Sequence, residues 1–150
     1  MEPDISSHYT NLGICLAESN NYKNAEINYN KSLIINPNDF GTHFQRGELR
    51  LQLNKYEASF FDFTKCIEID PSFLGSYEIR GRIRGELNDY IGAINDFEYI
   101  LARNPDDGST IFNLAITYIN YGQNEKGKLL LKKAENYGIY QATQILKDLN

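Results

Sequence analysis

The chain has 150 residues, 41% of them hydrophobic and 13% aromatic, which is ample apolar material for a buried core. Its formal net charge is −5, from 15 Lys and Arg against 20 Asp and Glu. That balance gives no overall positive field to draw in nucleic acid or an anionic membrane.

The opening MEPDISSHYT has neither a basic n-region nor an apolar h-region and does not read as a signal peptide. No window approaches 18 uninterrupted apolar residues, so no transmembrane segment is expected. From Tyr9 the chain turns helical: Tyr9, Leu12 and Leu16 step by three and four residues, as one helix face requires. The pattern breaks at Asn20-Asn21. A second helical stretch follows, with Ala25, Tyr29 and Ser32-Leu33 on one face, and ends at Asn36-Pro37, since a residue before proline is pushed out of the helical region. Cys15 and Cys66 fall on apolar faces of predicted helices and are expected as buried free thiols in a reducing, cytoplasmic setting.

The pattern then returns every 34 residues. Tyr22, Tyr56 and Tyr90 hold that interval, as do Tyr29, Phe63 and Phe97, and Pro37, Pro71 and Pro105. Upstream, Gly13, Gly47 and Gly81 keep it too. The breaks recur as Asn54, Asn88 and Gly122, residue types that tolerate a left-handed backbone. The repeats are read as 6–39, 40–73 and 74–107, with a degenerate copy over 108–141. Ile139, Ala142, Ile145, Leu146 and Leu149 form a last amphipathic stripe, expected as a capping helix over about 139–149. No linker interrupts the units, so residues 1–150 are expected as a single domain. A fixed period of this kind is a repeat array, and short connections make consecutive helices antiparallel neighbours that bury their faces by stacking. The predicted fold class is all-α.

The pattern Leu12-Gly13, Tyr22, Ala25, Tyr29, Pro37 resembles the tetratricopeptide repeat. The next units carry it as Gly47, Tyr56, Phe63, Pro71 and as Gly81, Tyr90, Ala93, Phe97, Pro105. Arg46 and Arg80 depart from it, standing where leucine precedes the glycine, and Ser59 replaces the small alanine. The fourth unit keeps Leu114-Ala115, Tyr118 and Leu131 but has Asn124 and Ile139 in place of the tyrosine and the proline.

The resemblance implies a right-handed superhelical stack and a non-catalytic scaffold that binds a peptide or a partner helix. In such stacks the first helix of each pair lines a concave groove. Carried over by position, that face takes Thr10, Asn11 and Ile14 from the first unit and Phe44, Gln45 and Glu48 from the second. It takes Glu78, Ile79 and Arg82 from the third and Phe112, Asn113 and Ile116 from the fourth. Phe44 and Phe112 are expected as hydrophobic anchors or, alternatively, as packing residues; Gln45 and Asn113 as partners for a ligand backbone; Arg82 as a charge contact. Some chaperone-binding relatives grip a C-terminal carboxylate with Lys, Asn, Asn, Lys and Arg. The matching places hold Thr10, Ile14, Gln45, Gly75 and Ile79, or, one repeat on, Phe44, Glu48, Ile79, Ser109 and Asn113. Neither set contains the cationic pair, so carboxylate-clamp binding is not expected.

Arg46 and Arg50 recur one period later as Arg80 and Arg84. This ladder reads either as an anion- or RNA-binding surface, through bidentate guanidinium geometry, or as structural. The structural reading has internal support. The two units with Arg before the glycine also carry Asp62 and Asp96 before the aromatic, whereas the units with Leu there carry Asn28 and Leu130. Arg46–Asp62 and Arg80–Asp96 are therefore expected as ion pairs. Gly85 lies outside the repeat pattern and is expected to face the groove. His8 and His43 form no i,i+4 pair, no GxxxxGK[ST] loop is present, and Cys15 has no base beside it. No catalysis, cofactor or metal is expected. The first unit lacks a capping helix on its outer side, which makes self-association through the N-terminal face the alternative to groove binding.

Overall fold

The computed structural model describes residues 5–148. All regular structure among them is helical: α1 (Ile5–Glu18), α2 (Tyr22–Ile35), α3 (Phe40–Gln52), α4 (Tyr56–Ile69), α5 (Leu74–Glu86), α6 (Tyr90–Leu101), α7 (Gly108–Asn120), α8 (Asn124–Asn136) and α9 (Tyr140–Asp148). The architecture is an all-α helical repeat stack, with α1/α2, α3/α4 and α7/α8 the most extensively packed helix pairs. The helices gather into two compact units, one running to Ser76 and one from Tyr77 onward.

One turn geometry is written four times inside the pairs. Asn20, Asn54, Asn88 and Gly122 all have positive φ, of 60°, 55°, 60° and 82°. At each, the following amide reaches back to a carbonyl of the last helical turn: Asn21 to Leu16, Lys55 to Arg50, Asp89 to Arg84 and Gln123 to Tyr118, each at 2.8 Å. This closure ends a helix by satisfying carbonyls that have no helical partner. The turn before α9 repeats it at Gly138, with φ 79°.

Between pairs, proline and aspartate set the boundaries. Asp39 caps α3 by accepting from the Thr42 amide at 2.6 Å, and Asp107 caps α7 by accepting from the Ser109 and Thr110 amides at 3.1 and 3.2 Å. α2 and α4 stop one residue before Asn36-Pro37 and Asp70-Pro71. α6 stops earlier, at Leu101, because Arg103 and Asn104 both bond to the Ile100 carbonyl and tighten its last turn.

In the first unit the core gathers Ala25, Tyr29 and Leu49, with Ile14, Leu16, Ala17, Tyr22 and Leu53 packed against them. A β-carbon added at Gly13 would lie 2.6 Å from the Tyr29 ring, and one at Gly47 would lie 2.9 Å from the Phe63 ring. These glycines let a large aromatic from the second helix of a pair press on the backbone of the first. In the second unit Gly81 and Phe97 repeat the fit, also at 2.9 Å. The degenerate pair reaches closure with different volumes: Ala115 and Leu131 sit in one fully buried cluster with Ile111 and Ala134. Ala142 and Leu146 of α9 join that cluster, while Leu149 of the expected stripe lies outside the described residues.

The two cysteines are free, but only Cys66 is buried; Cys15 is exposed. That corrects the expectation of two buried thiols. Cys15 shares the solvent-facing side of α1 with the exposed Asn11, Leu12 and Glu18, whereas Gly13 is buried and Leu16 half-buried.

Candidate functional site

The second unit carries a cleft between α5 and α7. The Asp107 cap fixes the start of α7 and so brings Phe112, Asn113 and Ile116 to one side of that helix. These line a cavity of about 520 Å³ together with Arg82, Gly85 and Glu86 of α5. A neighbouring hollow of about 430 Å³ shares Arg82, Phe112 and Asn113 and adds Glu78, Ser109 and Gln141. Phe112 and Ile116 reach the cleft from above the core cluster, against which both are packed. A β-carbon at Gly85 would meet nothing within 4 Å, so this position opens into the cavity.

α5 divides its arginines by face. Arg80 grips Asp96 through Nε and Nη2, at 3.0 and 2.6 Å, and Arg84 donates to the same carboxylate at 2.9 Å and to the Gly92 carbonyl at 3.0 Å. Asp96 is nearly fully buried. Tyr77 and Tyr99 stack at 4.0 Å between Arg80 and Arg103, which tie α5 to α6. Arg82 points the other way, is exposed, and has no ion-pair or hydrogen-bond partner among the described residues.

In the first unit a corresponding cluster is closed. Asp62 is 1% exposed and receives Arg46 (2.6 Å from Nη2), Arg50 (2.8 Å from Nη1) and the His43 Nδ1 edge (3.1 Å). Burial pushes the Asp62 carboxyl up, but hydrogen bonds from His43 and Arg46 and the charges of Arg46 and Arg50 outweigh it and hold the group below the usual carboxylate range. Glu26 adds a second bridge, accepting from Arg50 at 2.7 Å and from Lys55 at 2.8 Å. The sequence paired each arginine before the glycine with one aspartate. The structure adds Arg50 and Arg84 to the same carboxylates, and His43 to the first. The signal for the added pairs was the i,i+4 spacing of each arginine couple, which places both guanidiniums over one acid.

The expected groove residues of the first unit are engaged differently from those of the second. The Thr10 hydroxyl lies 2.8 Å from Ser32 Oγ and 2.5 Å from Thr42 Oγ1, a knot joining α1, α2 and α3. Ile14 packs on the Tyr29 cluster. Phe44 stands edge-on to Phe63 at 5.4 Å and to Phe73 at 5.8 Å and stacks on Phe40 at 5.9 Å, so its ring is largely taken up by neighbours. Gln45 is half-buried and Asn11 and Glu48 are exposed; in the second unit Ile79 is half-buried beside the cleft residues Glu78 and Arg82. Among the described residues no group of three or more His, Cys, Asp or Glu side chains gathers as for a metal ion, and no helix is long and apolar enough to cross a membrane.

Comparison with family models matches residues 8–39 and 40–73 to the tetratricopeptide repeat. No curated protein matches the chain in sequence. Among solved structures, a crystal structure of MamA superposes with a TM-score of 0.86 at 19% identity, over 94% of this chain and 78% of that one. MamA from residue 41 to its end, from Desulfovibrio magneticus RS-1, gives 0.86 at 20% identity, over 97% and 84%. A tetratricopeptide repeat protein from Parabacteroides merdae ATCC 43184 gives 0.87 at 21% identity, over 99% of this chain and 59% of that one. At these identities the likeness concerns the fold alone. Residues 8–73 thus match two tetratricopeptide repeats, and the 34-residue period and the left-handed turns carry the same helix-pair pattern through the remainder of the described chain.

Proposed function

We propose that the chain is a non-catalytic protein-interaction scaffold that binds a peptide or a partner helix on the first helices of its repeats, with the α5–α7 cleft as the principal seat. One observation carries this reading: a cleft of about 520 Å³ in which an unpaired Arg82, the side chain of Asn113, the open position Gly85 and the apolar faces of Phe112 and Ile116 converge. The cleft has the size of a binding pocket, and its lining is more polar than apolar, with Arg82, Glu86, Asn88, Asn113 and Asn120 around Phe112 and Ile116, which suits the polar backbone and charged side chains of a peptide. Residues on stacked helices are held in place before a ligand arrives, so little ordering of the scaffold opposes binding. The two free cysteines, one of them exposed, fit a reducing compartment, and we assign the protein to the cytoplasm on that ground.

Selection from a displayed random peptide library tests the proposal, using wild type beside an Arg82→Ala/Asn113→Ala variant of matched thermal stability. Peptides enriched by the first and lost by the second support the cleft. Peptides that bind both equally, or no enrichment, sink it.

A second reading, self-association through the N-terminal face, is favoured by Leu12, Ile27 and Ile35, which are 42%, 41% and 50% exposed on the outer pair. Light scattering at two concentrations decides it: a dimer that Leu12→Glu dissolves supports this reading, and a monomer at both concentrations ends it. Anion or RNA binding by the arginine ladder ranks last, because Arg46, Arg50, Arg80 and Arg84 each already hold a carboxylate.

A further inference from the structure

α5 presents three charges to the cleft in a fixed order. Glu78, Arg82 and Glu86 stand at i, i+4 and i+8, with Arg82 shared by both hollows, Glu78 lining one and Glu86 the other. None of the three forms an ion pair with another described residue, although their helix neighbours Arg80 and Arg84 are both clamped on Asp96. The stripe is therefore an acid–base–acid row left open along the cleft wall, with Gly85 leaving room for a chain to approach beside it.

The spacing of that row matches an extended polypeptide. Four residues of α-helix advance about 6 Å. Two residues of an extended strand advance about 6.7 Å and return the side chain to the same side. A strand laid along this row, which is inclined by about 26° to the axis of α5, thus brings every second side chain level with the next charge, with an axial mismatch over three charges of only about 1.5 Å, which long side chains absorb. Resting on the cleft reading above, we propose that the occupant is an extended segment with Lys or Arg, then Asp or Glu, then Lys or Arg at alternate positions. The outer cations meet Glu78 and Glu86 and the central carboxylate meets Arg82. The pattern reads the same from either end, so it selects a sequence without fixing chain direction. A helical occupant fits less well, because its own i,i+4 charges would face those of α5 across two curved surfaces that diverge away from their line of contact.

Fluorescence anisotropy with three labelled nonapeptides tests the inference. One carries Lys, Glu and Lys at alternate central positions in an alanine–serine background, the second inverts the charges, and the third has glutamine at all three positions. Each exposed ion pair contributes modestly, so three together are expected to favour the first peptide over the second by roughly tenfold in low salt, a preference that shrinks as salt rises. A Glu78→Lys/Arg82→Glu/Glu86→Lys variant, checked for an unchanged helical spectrum, is expected to reverse the order. Equal binding of all three peptides, an unreversed order in the variant, or no binding of the first peptide overturns the proposal. The cleft itself stands or falls separately: equal binding that Asn113→Ala weakens throughout would reject the charge code and keep the cleft.

Discussion

The Tyr90 hydroxyl donates to Asn88 Oδ1 at 2.6 Å, bridging the first residue of α6 to the left-handed residue two positions before it. Tyr22 does the same to Asn20 at 2.5 Å and Tyr56 to Asn54 at 3.2 Å. Where the tyrosine is absent, at Asn124, the left-handed residue is Gly122. The asparagine is thus held in a conformation that most side chains avoid, and its amide oxygen fastens the start of the next helix.

Replacing Asn88 separates the two roles. Asn88→Ala keeps neither the bond nor the tolerance for positive φ and is expected to cost about 1–2 kcal/mol. Asn88→Gly keeps the conformation and loses only an exposed bond, so about 0.5 kcal/mol or less is expected. Urea unfolding of both variants measures the difference. Equal losses would mean that the bond, rather than the backbone, sets the residue.

Asp62→Ala leaves the mostly buried Arg46 facing no acid and Arg50 with Glu26 alone, and is expected to destabilise by about 3 kcal/mol, as breaking a buried ion pair does. The pH dependence has a definite sign. The folded pKa of Asp62 lies below its unfolded value of about 4, so its contribution is complete above pH 4 and is lost as pH falls through the folded pKa. Wild type should therefore lose stability below about pH 4 more steeply than Asp62→Asn. Thermal melts of both proteins across that range check it, and parallel curves would count against the ion-pair cluster.

The two thiols should differ in reactivity. Burial, and then the neighbouring Asp62 charge, push Cys66 up to about 12, whereas Cys15 is exposed. At pH 8 a disulfide reagent is expected to modify one thiol quickly in the native protein and both in denaturant. Cys15→Ser should abolish the fast phase.

Glycine-to-alanine changes should split by site. At Gly47 the new methyl would crowd the Phe63 ring, and a loss of about 1–3 kcal/mol is expected. At Gly85 it would meet open space, and relief of glycine's helix penalty should stabilise by about 0.5–1 kcal/mol. Melting temperatures that move in opposite directions would bear this out.

The fold was legible because a period of 34 repeats the physical instructions: proline to stop a helix, a left-handed residue between helices, glycine opposite an aromatic. The detail of the groove face was less so. A period fixes where a backbone position recurs, not which neighbours compete for its side chain. Thr10 and Phe44 occupy groove positions by count, yet the hydroxyls of Ser32 and Thr42 hold the first and a cluster of phenyl rings holds the second. Cys15 shows the same gap between a face read from spacing and the face a helix presents. The early stop of α6 came from local bonding to the Ile100 carbonyl, which no landmark residue announces.

α5 divides its charges between separate sides: 80 and 84 brace Asp96, while 78, 82 and 86 form no ion pair among the described residues. Mutation can accordingly edit the second set while the braces stay untouched. If the open row selects a ligand as proposed, the helix is an interchangeable reading head that a lineage could retarget by three substitutions without rebuilding the body that carries it.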